Sequence, residues 1–289
     1  MTPPPSIVWA EQVLGPIDAW TDLPGGMSSE IRRCRSGRRS FVVRHITDLE
    51  WRQREPGLID AEATALTLLQ PSSVRAPRLL ASSPADGMLA MSWVPGELAT
   101  TPSSVAERAG DLGRLAASIA AVPLPSEHAL PEWRSWAPER PTVPDGGDEA
   151  LWRRAIAAGR TDAPSQSSAV LLHRDLHPLN VLWDASGPVV VDWVNACVGH
   201  PHAELGHARW NLAVLGDEDA ADAMLAAYNE RSSFGPYSPW WDIMAVLGLL
   251  PLPVGLGGWH AVGRTDLTAA RVLDATERFL ERSLAAFEH

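Results

Sequence analysis

An amide and a carboxylate flank a predicted hairpin in the middle of the chain. Residues 181–183 and 189–191 are apolar runs, and residues 184–187 between them form a good turn sequence, so the runs should pair as antiparallel strands. Asn180 directly precedes the first strand, and Asp192 directly follows the second. Because these two ends of a hairpin lie side by side, we expect the two side chains to converge on one point.

The converging oxygens have the chemistry of a magnesium site. Mg²⁺ prefers oxygen ligands and fills its remaining positions with water and substrate phosphates. Asp175 lies five residues before Asn180, where it can accept a proton from a hydroxyl group that attacks a metal-bound phosphate. Alternatively, Asp175 and Asn180 cap a loop and Asp192 is a turn residue. Each residue alone is more often structural, but the three together favour the catalytic interpretation.

Residues 173–180 also fit a known catalytic-loop pattern. They match the signature H-R-D-L-x-x-x-N of protein kinases, and Asp192 follows twelve residues after the final Asn. The pair His177-Pro178 inside the loop, and Trp193 after Asp192, resemble instead the aminoglycoside phosphotransferase and choline kinase family. Residues 199–206 are similar to that family's Gly-Asp-Pro-x-x-Asp-Leu-Ala. No Ala-Pro-Glu follows Asp192, where a protein kinase carries it, and the chain shows no long activation segment, which counts against a protein kinase.

The resemblance implies an ATP-dependent enzyme that moves the γ-phosphate to a hydroxyl group of a small molecule, such as an aminoglycoside-like antibiotic, a sugar or an amino alcohol. It implies that Asp175 is the catalytic base and that Asn180 and Asp192 hold Mg²⁺. It also implies a two-lobed, protein-kinase-like fold with a small β-rich N-terminal lobe and a larger, mainly helical C-terminal lobe. The alternatives are a non-catalytic nucleotide-binding relative and a protein kinase that acts on serine or threonine.

A cation and an anion in the N-terminal part are predicted to form a buried pair. In the β-rich run 40–46, Arg44 shares a strand face with Val42 and Ile46. Glu62 lies on the same helical stripe as the leucines at 58, 66 and 69, and a carboxylate there is unfavourable unless it is paired. Arg44 is the natural partner, and by resemblance it binds nucleotide phosphates. The alternative is a solvated Arg44 and a Glu62 that is only a first-turn charge.

Two further nucleotide-binding elements depend on the resemblance alone. Gly25, Gly26 and Ser28 would form the loop over the nucleotide phosphates, although a Gly-Gly pair by itself usually marks a turn. The backbone of residues 92–94 would form the hinge that meets adenine, which assigns Ser92 and Val94 to the nucleotide site.

The acceptor is expected to bind against the helical part of the chain. Trp240, Trp241 and Trp259 could form an aromatic wall for a cation or a sugar, or they could pack in a helical core. Glu204 and the acidic run 217–219 could face a polycationic antibiotic, and the run equally suits the start of a helix.

Histidine and cysteine residues give no metal signature. His200, His202 and His207 fit no standard zinc ligand set, so we expect them to stabilise loops or to face the substrate. Cys34 and Cys197 are far apart and match no metal-ligand spacing, which is the pattern of a reducing compartment.

The composition fits a soluble protein of the cytoplasm. The formal charge of −11 argues against nucleic acid as the principal ligand and fits a cationic substrate, although acidity also favours solubility. All 24 basic side chains are arginine, so tasks usually given to lysine fall to a guanidinium. The N-terminus has no secretory signal pattern. The apolar stretch from Ile243 to Trp259 is interrupted by prolines and glycines, which predicts a buried helix and not a membrane span.

The distribution of predicted strands and helices along the chain indicates an α+β fold. The first hundred residues have the pattern of strands with one helix, at 57–70, and helices dominate after Gly96. Helices are expected at 104–122 and 149–159 and from 204 to the C-terminus, with a strand-rich island at 170–193. We therefore expect a nucleotide-binding lobe at 1–95 and a helical lobe at 96–289 that carries the catalytic loop and the acceptor site.

Overall fold

The computed structural model describes residues 2–23, 29–165, 169–252 and 256–289. The chain divides into two compact units. The first is Met1–Glu97 together with Leu124–Pro131 and Leu182–Ala196, and the second is Leu98–Pro123, Glu132–Val181 and Cys197–His289. Two later segments thus join the N-terminal one in the first unit, and the assignment of 1–95 and 96–289 to separate lobes stays a prediction.

Strands and helices occupy most of the described residues. The strands are β1 (Ala19–Asp22), β2 (Ser29–Ser36), β3 (Arg39–Ile46), β4 (Leu79–Ser83), β5 (Met88–Ser92), β6 (Glu97–Leu98), β7 (Val170–Leu172), β8 (Val181–Asp184), β9 (Gly187–Val190) and β10 (Cys197–Gly199). The helices are α1 (Pro5–Leu14), α2 (Leu49–Arg54), α3 (Leu58–Leu69), α4 (Pro102–Ala120), α5 (Glu149–Gly159), α6 (Pro201–Leu215), α7 (Glu218–Asn229), α8 (Trp240–Leu247), α9 (Leu256–Ala261) and α10 (Ala269–Phe287). The α+β class expected from the sequence is confirmed.

An antiparallel sheet in the order β1-β2-β3-β5-β4 forms the centre of the first unit. A tight turn joins β2 to β3, and Gly37 in it adopts φ +56°, a left-handed conformation that glycine takes without strain. Phe41 and Val43 of β3 pack on the side of α1. Because side chains alternate along a strand, Arg44 points to the opposite face of the sheet.

The first hundred residues contain three described helices, where the sequence pattern predicted one. α1 begins at Pro5, a position at which the missing N–H of proline is tolerated, and it buries Ile7 and Ala10 against the sheet. α2 is capped by Asp48, whose carboxylate accepts the N–H of Trp51 at 2.9 Å. The prediction was wrong at α2 because this helix buries none of its residues and so has no apolar stripe to detect.

The predicted hairpin is present as the neighbouring strands β8 and β9. Arg75 contacts the turn of this hairpin through Asp184. Its Nη1 lies 2.8 Å from Oδ1 of Asp184, and its Nη2 lies 2.6 Å from Oδ2. The N–H of Val190 donates to the carbonyl of Arg75 at 2.9 Å, which ties β9 to the segment that follows α3. β9 ends at Val190, so Asp192 lies two residues beyond the strand and has φ +65°.

The second unit packs helices around the short antiparallel pair of β7 and β10, in which Leu172 is paired with Cys197. β7 leads into residues 173–180, and β10 leads into α6, so the pairing of these strands places the loop beside α6. The helices predicted at 104–122 and 149–159 are present as α4 and α5. In the stretch from Ile243 to Trp259, α8 ends at Leu247 and α9 begins at Leu256, and residues 253–255 lie outside the description. None of the helices in the described ranges has both the length and the apolar character that a bilayer crossing needs.

Candidate active site

Glu204, in the first turn of α6, holds the backbone of the loop 173–180. Its carboxylate accepts the N–H groups of His173 at 2.5 Å, Arg174 at 3.1 Å and Leu176 at 3.4 Å. The residue is only 2% exposed, and hydrogen bonds from several amides are what a buried carboxylate requires. The expectation that Glu204 faces an acceptor is therefore corrected: its oxygens are occupied by the loop.

Arg174 stands at the most constrained point of the loop. Its φ is +71°, in the left-handed region where a residue with a Cβ is disfavoured. The guanidinium lies 4.2 Å from the centre of the Trp136 ring and donates to the carbonyl of Arg134. These contacts, with the backbone bond to Glu204, hold a conformation that glycine would take more easily.

Asp175 presents a partly exposed carboxylate between two histidines. Its Oδ1 atom lies 3.0 Å from Nε2 of His207 and 3.4 Å from Nε2 of His177, and its side chain is 27% exposed. Burial opposes ionisation, but the charge interaction with His177 and the hydrogen bond with His207 outweigh it. Together they hold the pKa of Asp175 well below its usual value.

His207 is a member of the site whose contact with Asp175 was not predicted from the sequence. It lies on α6, three residues after Glu204, so the same helix face carries both side chains. Asn211, one turn further, has Nδ2 3.1 Å from Nε2 of His207 and donates to the His207 carbonyl at 3.1 Å. The spacing of Glu204, His207 and Asn211 along one helix face is the sequence signal from which a role of His207 in the site could have been predicted.

Asn180 ends a single 3-10 turn that leads into β8. Its Nδ2 donates to the backbone carbonyl of Asp175 at 2.9 Å and lies 3.1 Å from Nε2 of His177. These contacts use the nitrogen of the amide, which leaves Oδ1 as the atom with which Asn180 can ligate a metal. An amide oxygen is among the donors that suit Mg²⁺.

In the first unit, Arg44 joins two carboxylates. Its Nε lies 3.1 Å from Oε2 of Glu62, and its Nη2 donates to Oδ1 of Asp192 at 2.9 Å. The ion pair predicted between β3 and α3 is thus present. Burial raises the pKa of the Glu62 carboxyl to about 7 against the opposing charge of Arg44, and the carboxylate of Asp192 adds to the rise.

The family follows from a sequence match that spans these residues. A model of the phosphotransferase enzyme family matches residues 19–240, more than half of the 289-residue chain. The chain belongs to the phosphotransferase enzyme family. The family resemblance inferred from residues 173–206 is thereby confirmed. Comparison with curated proteins finds no match.

Solved structures with a similar fold belong to small-molecule kinases. An aminoglycoside phosphotransferase, APH(4)-Ia, is 15% identical with a TM-score of 0.65, over 96% of this chain and 97% of the other. A microcompartment-associated aminopropanol kinase is 18% identical with a TM-score of 0.61, over 98% and 96%. Choline kinase LicA from Streptococcus pneumoniae is 14% identical with a TM-score of 0.60, over 96% of each chain.

These similarities establish that this phosphotransferase has the protein-kinase-like fold predicted from its sequence. The family match makes the protein a phosphotransferase.

The nucleotide-binding residues assigned to this phosphotransferase by resemblance stay predictions. Gly25, Gly26 and Ser28 lie outside the described residues. Ser92 ends β5, where its N–H donates to the carbonyl of Arg78 at 2.8 Å and its hydroxyl accepts the N–H of Arg78 at 2.9 Å. Val94 lines an open groove of the first unit.

The three tryptophans expected at the acceptor site have different surroundings. Trp241 lines a cleft of the second unit that also borders His207 and Trp136. Trp240 stands edge-on to Trp241, with ring centres 4.8 Å apart, and is not among the residues that line this cleft. Trp259 is buried, with its ring centre 5.9 Å from that of Trp210. For Trp240 and Trp259 the structure favours the core-packing alternative.

His200 and His202 contribute to the packing behind the same cleft. Their ring centres are 4.8 Å apart, and the ring of His200 lies 4.8 Å from that of Trp241. Burial lowers the pKa of His202 to about 4, and the charge of His200 acts in the same direction. His202 is therefore neutral near pH 7.

Proposed function

We propose that this phosphotransferase transfers the γ-phosphoryl group of ATP to a hydroxyl group of a small molecule, with Asp175 as the base. The observation that carries the proposal is the placement of Asp175. Its carboxylate is ionised, partly exposed and oriented by His207, on a loop that Glu204 anchors through three backbone hydrogen bonds. A base for this chemistry must be held in a fixed position. It must also be accessible to a substrate that enters from solvent.

The reaction exchanges one oxygen–phosphorus bond for another. The acceptor oxygen forms a bond to the γ-phosphorus, the bond between the γ-phosphorus and the bridging oxygen to the β-phosphate breaks, and ADP leaves. Asp175 takes the proton of the attacking hydroxyl group. Because its pKa lies below the usual range, its main contribution is to orient the hydroxyl group and to receive the proton as the new bond forms.

Asn180 and Asp192 are the residues that would hold Mg²⁺, each through one oxygen. When bound, the ion neutralises charge on the phosphates of the nucleotide. Arg44 supports this arrangement in the first unit, since its bond to Oδ1 of Asp192 fixes that carboxylate while Glu62 fixes the guanidinium. Arg44 is also proposed to bind phosphate, a task that a guanidinium performs well.

A labelled-ATP screen against aminoglycosides, sugars, amino alcohols and nucleosides tests the proposal and identifies the acceptor class.

Asp175→Asn should abolish phosphoryl transfer and leave Mg-ATP binding measurable by calorimetry. Asp192→Ala should instead weaken Mg-ATP binding, because it removes a proposed metal ligand. Asp145→Asn is the matched control, since Asp145 is exposed and lies outside the site. Undiminished turnover by Asp175→Asn would refute the role of Asp175, and binding of Mg-ATP without turnover of any acceptor would favour a non-catalytic nucleotide-binding protein.

A further inference from the structure

A cleft in the second unit opens beside the loop that carries Asp175. His207 forms part of its wall. Nε2 of His207 is also 3.0 Å from Oδ1 of Asp175. A molecule bound in this cleft is therefore separated from the proposed base by a single side chain, that of His207.

The walls of the cleft are aromatic and largely fixed. Trp133 and Trp241 pack edge to face with ring centres 5.3 Å apart, and Trp241 is buried. Trp136 stands edge-on to His207 at 5.6 Å, and 40% of its surface remains exposed. The Arg174 guanidinium lies over this indole, 4.2 Å from the ring centre, so a ring of similar size can cover only the part of the indole that stays exposed.

The charge of the lining is positive. Arg134 and Arg174 contribute guanidinium groups, and none of the described residues that line the cleft has a carboxylate side chain. The residues outside the description carry none either, because 1, 24–28, 166–168 and 253–255 include no Asp or Glu. Glu204, the nearest acidic residue of α6, is occupied by the backbone of the loop. A cationic group in this cleft would meet like charge in the lining, and Asp175, which His207 contacts, is not among the lining residues.

We infer that the acceptor alcohol places a flat or cyclic apolar portion in this cleft and is neutral or anionic at that point, and that polycationic aminoglycosides are poor acceptors. The inference rests on the proposed function and narrows its substrate class. It replaces the expectation of a cationic acceptor, which came from the net charge of −11. The local charge of a site, and not the net charge of the chain, decides which ligand it accepts.

Three meta-substituted ring alcohols that differ in charge test the inference: hydroxymethylbenzoate, methoxybenzyl alcohol and aminomethylbenzyl alcohol. Hygromycin B serves as the polycationic reference. Formation of ADP from Mg-ATP gives kcat/KM for each, and we expect values for the anionic and neutral alcohols about tenfold above that of the cationic one. Trp136→Ala should raise KM for the ring alcohols about tenfold with a smaller change in kcat. Trp51→Ala, in α2 of the first unit, is the matched control and should change neither value.

The outcomes separate the inference from the proposed function. Preferred turnover of aminomethylbenzyl alcohol or hygromycin B would overturn the inference and leave phosphoryl transfer established. Mg-ATP binding and ADP formation without turnover of any ring alcohol would also overturn it. If the protein neither binds Mg-ATP nor forms ADP in any reaction, the proposed function fails and the inference with it.

Discussion

Nε2 of His207 lies 3.0 Å from Oδ1 of Asp175, and both residues belong to the second unit. His207 follows Glu204 by three residues on α6, so one helix face contacts both the backbone and the carboxylate of the loop 173–180. The position and the ionisation of Asp175 are therefore set by α6 and not by the loop alone.

His207 is expected to act as a positioning residue for Asp175. His207→Leu removes a hydrogen bond to a charged group, a loss of about 1.5–3 kcal/mol, which corresponds to a fall in kcat of about 10- to 100-fold. His207→Gln should lose less, because its amide can still donate to Oδ1. Steady-state kinetics with any accepted alcohol measures both variants. Equal losses in the two would show that a hydrogen bond to Asp175 is not what His207 contributes.

Glu204 is expected to stabilise the fold and not to bind the acceptor. Glu204→Gln keeps one oxygen acceptor but loses the charge, and it turns an NH₂ group towards backbone donors, so the free energy of unfolding should fall by about 2–3 kcal/mol. Glu139→Gln, at an exposed position, should change it by less than about 0.5 kcal/mol. Chemical denaturation measures both. A stable Glu204→Gln protein with a raised acceptor KM would restore the original substrate-binding expectation.

Gly206 is expected to be required for the contact between α6 and α8. A Cβ built at this position would lie 2.2 Å from the carbonyl oxygen of Trp241, so Gly206→Ala must separate the two helices and should lower stability by about 2 kcal/mol. Gly257→Ala in α9 is the matched control, because no described residue outside its own helix backbone and chain neighbours comes within 4 Å of its Cβ position. Thermal denaturation should show a lower Tm for Gly206→Ala alone, and an unchanged Tm would contradict the close approach.

Glu62 is expected to make stability depend on pH. Its pKa rises from the usual 4.5 to about 7 in the folded protein, so the stabilisation linked to its proton is complete below pH 4.5 and is lost as the pH rises through 7. The loss amounts to roughly 3 kcal/mol. Glu62→Gln cannot titrate, so its stability relative to the native protein should improve between pH 4.5 and 7.5. Urea denaturation at several pH values measures this difference, and a constant difference would show that Glu62 does not titrate in this range.

Sequence periodicity predicted the elements whose buried faces are regular. The alternation of residues 40–46 and the helical stripe of α3 indicated which side of each element is buried, and together with the family resemblance this favoured the pairing of Arg44 with Glu62. The same approach failed at α2, which has no buried face. The loop 173–180 was identified from residue types in fixed order, since its chemistry requires them at that spacing.

The family, the α+β class and the candidate base could be inferred from the amino-acid sequence alone, because these depend on residues near one another in the chain. The partners of Glu204, the contact of His207 with Asp175 and the positive, aromatic cleft were decided only by the tertiary structure. Each joins residues about 30 or more positions apart in the sequence. Periodicity records that a face is buried but not which other face it meets, so these contacts emerge only when α6 packs against the loop.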